Sequence, residues 1–195
     1  MQTLKAPFSS TYEIKQSKFT AYLVPYEGFE TTLARLKEEH PKARHFVTAY
    51  RYLNKYAQVV EGSSDDGEPK GTSGKPSLAV LAGHDLIDAA VITVRYFGGT
   101  KLGTGGLVRA YTQAVSDAVS AAALFEYVAK EQAAFSCGYP AVSQLEYLLG
   151  ECGISDIKKD FEATEVVWNI AAGRESVEAF FARAGRLAAR RESDG

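Results

Sequence analysis

Cysteine, histidine and proline are scarce in this chain of 195 residues, which has two Cys, three His and six Pro. Cys137 and Cys152 are too few for a disulfide framework and lack CxxC spacing. His40, His45 and His84 are scattered, so a zinc site is not expected, and no metal site is assigned. No uncharged apolar run approaches the roughly 18 residues of a membrane span. The start, MQTLKAPFSS, has no basic segment followed by an apolar one, so no secretory signal is read there. The expectation is a cytoplasmic, reduced protein with no cofactor and no membrane partner. A dominant charge sign is also missing. Lys+Arg is 22 and Asp+Glu is 24, a net charge of −2. Bulk electrostatics would not hold such a chain on nucleic acid, and no DNA specificity is expected. Any anion site must be local.

What remains is the composition of an ordinary globular protein, 46% hydrophobic and 24% charged. The length suits one large domain or two small ones. Residues 1–57 carry a charge of +4, and residues 58–129 and 130–195 carry −3 each. The stretch from His40 to Val60 holds Lys42, Arg44, Arg51 and Lys55 with no acid, interleaved with Tyr50, Tyr52 and Tyr56.

Alternation over 12–26 predicts strands. Phe29, Leu33 and Leu36 predict a helix that stops before Pro41. Residues 44–53 and 56–60 read as strands joined at Asn54-Lys55, and 62–74 as a long turn. Pro76 at a first turn, with Leu78 and Leu81 behind it, predicts a short helix ending at Gly83. The apolar run 89–97 predicts a buried central strand. A glycine turn over 98–106 follows, then a helix with Leu107, Tyr111, Ala114 and Ala118 on one face. After Tyr127 the pattern restarts. It predicts strands at 131–137, 154–161 and 165–172, and helices at 140–152 and 176–190. This order is most of a split βαβ unit, with a closing strand missing or rudimentary because 191–195 is polar. The reading is α+β with two domains, 1–127 and 128–195. An unfinished sheet edge in the second would leave room for a protein partner.

Two segments could carry chemistry. The first is EGSSDDGEPKGTSGKP, residues 61–76. Asp65, Asp66 and Glu68 could bind a hard metal or serve acid/base chemistry, but their spacing fails the calcium-loop pattern. A solvated acidic turn that hydrogen-bonds its own backbone is the simpler reading. The sequence around Gly74-Lys75 is not a P-loop, because Pro76 stands where a Ser or Thr should bind magnesium. The second segment is RYFGGTKLGTGGLVR, residues 95–109, with five glycines at 98, 99, 103, 105 and 106. N–H groups at such a turn, at the start of a helix, can receive an anion, with Lys101, Arg95 and Arg109 alongside. Close packing of a strand against a helix demands glycine equally. Strand tyrosines at 50–56 could stack bases, or simply bury one face. His45 alone could be a general base, though a lone His is more often a structural hydrogen-bonder. Cys137 reads as a small core residue.

These motifs together resemble the IMPACT/YigZ family. The matching residues are His45, Ala49-Tyr50, Glu61, Ser64-Asp65-Asp66-Gly67-Glu68-Pro69, Gly71-Thr72 and Gly74-Lys75-Pro76. They continue with Val94-Arg95-Tyr96-Phe97-Gly98-Gly99, Lys101-Leu102-Gly103, Gly105-Gly106-Leu107 and Arg109-Ala110-Tyr111. Ser73 departs from the family's usual Ala, and the last strand is curtailed. The resemblance implies a first domain like domain 2 of a small-subunit ribosomal protein, as in domain IV of elongation factor G. It implies a ferredoxin-like second domain, as in domain V of that factor. Those relatives contact RNA or the ribosome. Eukaryotic members are associated with translational control through a protein scaffold, using an N-terminal domain with no counterpart in this sequence. No established reaction comes with the family.

The leading expectation is therefore a non-enzymatic RNA- or ribosome-associated protein with a role in translation regulation. Its contacts would be Arg95, Lys101 and Arg109 beside Gly98, Gly99, Gly103, Gly105 and Gly106, extended by Arg51, Lys55 and Lys75. His45, Glu61, Asp65, Asp66, Glu68, Gly71 and Gly74 are motif residues without an assigned role. The alternative is an enzyme or binding protein for a small anionic, phosphorylated ligand. The glycine loop would be its cradle, and Asp65, Asp66 or Glu68 its base or magnesium ligands.

Overall fold

A computed structural model of the chain describes residues 1–191. The chain folds as two compact units, the first Met1–Tyr127 and the second from Val128 onward.

The first unit runs β1 (Gln2–Leu4), β2 (Phe8–Ile14), β3 (Ser17–Pro25), α1 (Phe29–Glu39), β4 (His45–Leu53), β5 (Val59–Ser64), α2 (Gly74–Gly83), β6 (Ala89–Tyr96), α3 (Thr104–Ala121) and β7 (Leu124–Glu126). Five strands form one sheet in the order β2-β3-β6-β4-β5, antiparallel throughout. The apolar run predicted as a central strand is β6, buried on both faces. Ala89 and Val91 pack with Leu107, Tyr111 and Val115 toward α2 and α3. Ala90, Ile92 and Val94 pack with Phe29, Leu36 and Phe46 toward α1. β1 and β7 make a separate two-stranded sheet that the sequence pattern did not reveal.

Local chemistry moves several boundaries. The 44–60 pair is β4 and β5, but β5 starts at Val59 and runs to Ser64. The Asn54 carboxamide oxygen accepts the N–H groups of Tyr56 and Gln58, which lengthens the turn. α3 starts at Thr104, so Gly105 and Gly106 lie in its first turn and not in the preceding loop.

The second unit runs β8 (Lys130–Cys137), α4 (Val142–Glu151), β9 (Asp156–Phe161), β10 (Val166–Gly173), α5 (Arg174–Ala184) and β11 (Ala189–Arg191). Its sheet order is β11-β8-β10-β9, again antiparallel. Both helices cover one face, around Phe135, Trp168, Leu145 and Phe180. The predicted helix over 176–190 stops early. Gly185 turns left-handed at φ +53° and ends it, which frees a three-residue closing strand to pair with β8. The expected polar stretch beyond Arg191 lies outside the described residues. Among those described, no helix is long and apolar enough to cross a membrane.

Candidate functional site

Both motif segments lie in the first unit, at the C-terminal end of β6. Alternation puts Arg95 on the same face of β6 as Val91, toward α2 and α3. Its register partner on β4 is His45.

The acidic loop folds inward on its own backbone. One Asp65 oxygen accepts the N–H groups of Ser73 (3.0 Å) and Gly74 (2.8 Å), and the other that of Gly71 (2.6 Å). Asp65 thereby caps the start of α2 from nine positions upstream. Burial pushes its carboxyl pKa up, but the three N–H groups and the charge of Lys75 outweigh that and hold it below the ordinary carboxylate value. The Asp66 carboxylate accepts the Phe46 N–H at 2.6 Å. The Asp66 carbonyl accepts Nδ1–H of His45 at 2.8 Å. A carbonyl cannot donate, so Nδ1 of His45 carries the hydrogen of this bond.

Glu68 goes deepest. Its Oε1 accepts Arg95 Nη1 at 2.6 Å and the Tyr111 hydroxyl at 2.8 Å. The Glu68 and Arg95 side chains are only 3% and 7% exposed. The Arg95 guanidinium also lies 5.3 Å from the Phe19 ring, and its Nε is buried without a partner. Burial first, and then the Glu68 charge, push the Tyr111 pKa far up, so its phenol stays a donor. Arg95 is therefore turned away from any surface ligand. Tyr111, read from sequence only as an apolar helix residue, is the third member of this cluster. The available signal was general: a buried Tyr hydroxyl needs a partner.

The glycine loop does two jobs. A Cβ at Gly98 would sit 2.0 Å from the Gln16 carbonyl carbon, so the β2–β3 turn packs directly on this residue. Gly103 precedes α3 at φ +73°, and no side chain caps the helix there. Gly99 lies between them at φ +87°. Lys101 is exposed in the loop, and Arg109 folds back so that its Nη1 is 3.6 Å from a Cβ built on Gly105. Gly106 is backed by Leu102. Lys75 is exposed in the first turn of α2.

Arg51 and Lys55 lie apart from this cluster, toward the other end of β4. Arg51 is engaged, with Nε to Glu61 at 2.7 Å and Nη1 to the Leu86 carbonyl at 2.8 Å. Lys55 is exposed in the β4–β5 turn, 5.0 Å over the Tyr56 ring. Tyr50 packs with Phe29 and Tyr26 on the α1 side, the sheet face opposite His45 and Arg95. Gly71 and Gly74 serve as N–H donors to Asp65. Among the described residues no group of three His, Cys, Asp or Glu is arranged to hold a metal ion.

Residues 15–119 match the family model described as the Impact N-terminal domain, a span that holds the whole cluster. The chain is 36% identical over 181 residues to the IMPACT family member YigZ of Escherichia coli (strain K12), covering 91% of this chain and 88% of that protein. An IMPACT family member of Haemophilus influenzae is 36% identical over 171 residues, 86% of this chain and 82% of its own. The crystal structure of a hypothetical protein aligns over 99% of this chain and 98% of its own, with 32% identity and a TM-score of 0.70. On the sequence match across both motif segments, the chain belongs to the IMPACT family.

Proposed function

We propose that this protein is a non-enzymatic, RNA- or ribosome-associated factor in translation regulation, with its contact surface at the rim around the start of α3. One observation carries the reading. The carboxylates of Asp65, Asp66 and Glu68 are engaged by internal donors, while Lys101, Arg109 and Lys75 are exposed. The rim therefore offers cations and the unpaired N–H groups of an uncapped helix, a combination suited to phosphate. Arg95 lies buried beneath this rim, whereas Arg51 and Lys55 fall at the opposite end of β4 and are not part of it. The translation role itself is what the family resemblance implies. The fold names belong to the same proposal: a ribosomal-protein domain-2-like first unit and a ferredoxin-like second unit. The β-α-β-β-α-β order and antiparallel sheet of the second unit support the latter.

The second unit is a poor RNA platform. Ferredoxin-like RNA binders stack bases on aromatics of the open sheet face. Here that face carries Gln132, Ala134, Asn169 and Ala171 on β8 and β10. RNA contact is accordingly assigned to the first unit. A small phosphorylated ligand at the same rim is the second reading, favoured by the absence of a side-chain cap at Gly103. An enzymatic version needs free carboxylates and finds them occupied.

The test is co-sedimentation with ribosomes and anisotropy of labelled rRNA fragments, with a Lys101→Ala/Arg109→Ala variant. Binding that the variant weakens is the expected result. Absence of binding at low salt sinks the RNA reading. A thermal shift with phosphorylated metabolites would then favour the small ligand.

A further inference from the structure

In the second unit, β9 has a strand neighbour on one side only, β10. Among the described residues, nothing pairs with its other side. Proteins normally blunt such an edge with lysines or inward-pointing charge. β9 reads Asp156-Ile157-Lys158-Lys159-Asp160-Phe161, so the directions of its two lysines matter. Lys159 leans inboard, with Nζ 4.7 Å over the ring of Trp168 on β10 and an ion pair to Glu146 of α4. It does not guard the edge. Lys158 lies on the open face beside Asp160, 3.9 Å away. The helix side of the edge is left to Ile157 and Phe161. Phe161 is 66% exposed and stacks on Tyr139, itself 47% exposed, with ring centroids 6.4 Å apart.

We propose that β9 is a pairing edge for a second copy of this chain, antiparallel and centred on Lys159. The strand is complementary to itself in that register. Residues directly opposite share a face. Lys158 then meets Asp160 of the second copy, twice by symmetry, on the open face. Ile157 meets Phe161 of the second copy, also twice, on the helix face. Each Lys159 keeps its own Glu146. At the ends Asp156 meets Glu162, and Lys130, 2.8 Å from Asp156, offsets that repulsion. The contact is isologous and closes after two copies, giving an eight-stranded sheet. Its area is at the low end for a specific interface, so dimer formation depends on concentration.

Sedimentation velocity on the full chain, across about two decades of concentration around the micromolar range, tests this. A monomer–dimer equilibrium is expected. Lys158→Asp and Asp160→Lys each turn two symmetric pairs repulsive and raise the dimer dissociation constant by about tenfold. The double exchange Lys158→Asp/Asp160→Lys restores attraction and brings the constant back to within about threefold of the parent. Both positions are exposed, and unchanged circular dichroism checks their folding. A chain that stays monomeric overturns the proposal and leaves the edge to a strand from a different protein. A dimer indifferent to the single reversals, or not restored by the double exchange, overturns it too.

Discussion

Deleting the Glu68 side chain is the sharpest perturbation of the first unit. Glu68→Ala leaves a guanidinium buried with neither its Nη1 nor its Nε partnered. It also removes the acceptor of the Tyr111 hydroxyl. Removing one member of a buried ion pair costs about 3–5 kcal/mol, and the lost Tyr111 bond adds about 1 kcal/mol. That corresponds to a fall in Tm of roughly 10–20 °C. Arg95→Ala strands the carboxylate instead and falls in the same range. The double variant leaves no buried charge, so its cost should be about 2–3 kcal/mol below the sum of the two. The assay is urea unfolding read in two ways. Trp168 is the sole tryptophan and lies in the second unit, so its fluorescence follows that unit. Far-UV circular dichroism follows both. The loss belongs to the dichroism component with no fluorescence counterpart. A Glu68→Ala cost below about 1 kcal/mol, or strict additivity in the double variant, would refute the view that this cluster holds the loop to the helix.

Three further outcomes follow from the same geometry. Asp65→Ala removes the acceptor of three N–H groups and should lower the stability of the first unit by about 1–2 kcal/mol in urea melts. The native pKa of Asp65 is depressed, so its contribution is complete above about pH 5 and drains away as pH falls through the lowered native value. The gap in urea midpoint between the parent and Asp65→Asn should therefore narrow on going from pH 7 to strongly acid solution. Gly98→Ala drives a Cβ into the Gln16–Ser17 backbone and should cost about 1–3 kcal/mol or more, read as a thermal shift. Ser73→Ala should change stability by less than about 1 kcal/mol, because Tyr111 keeps Glu68 as its acceptor.

Elements that bury apolar residues at a regular period were legible in the sequence. β6 is a continuous apolar run, and α1 shows Phe29, Leu33 and Leu36 at helical spacing before Pro41. Three-residue strands such as β1, β7 and β11 are too short to show a period, and only long-range pairing makes them strands. Gly105-Gly106 disguised the start of α3, because glycine is a poor helix former and a glycine pair reads as a turn. The site was half legible. Its residues were singled out by motif, and the simpler reading of the acidic loop, side chains bonding their own backbone, matches Asp65, whereas Asp66 bonds the Phe46 N–H of β4, 20 positions away. The inward turn of Arg95 was not visible. It depends on strand parity and on a partner 27 positions away. The tyrosines of β4 fall on the opposite sheet face to His45 and Arg95 because alternation separates even from odd positions.

The salt dependence of RNA binding bears most directly on the central claim, that exposed Lys101 and Arg109 receive phosphate while the acidic loop is structural. Anisotropy with single-stranded and rRNA fragments over a range of salt gives the slope of log K against log salt. Lys101→Ala/Arg109→Ala should weaken binding, reduce the slope by roughly 1.4–1.8 for two lost phosphate contacts, and leave the urea midpoint unchanged. Parent and variant with the same affinity and slope would contradict it.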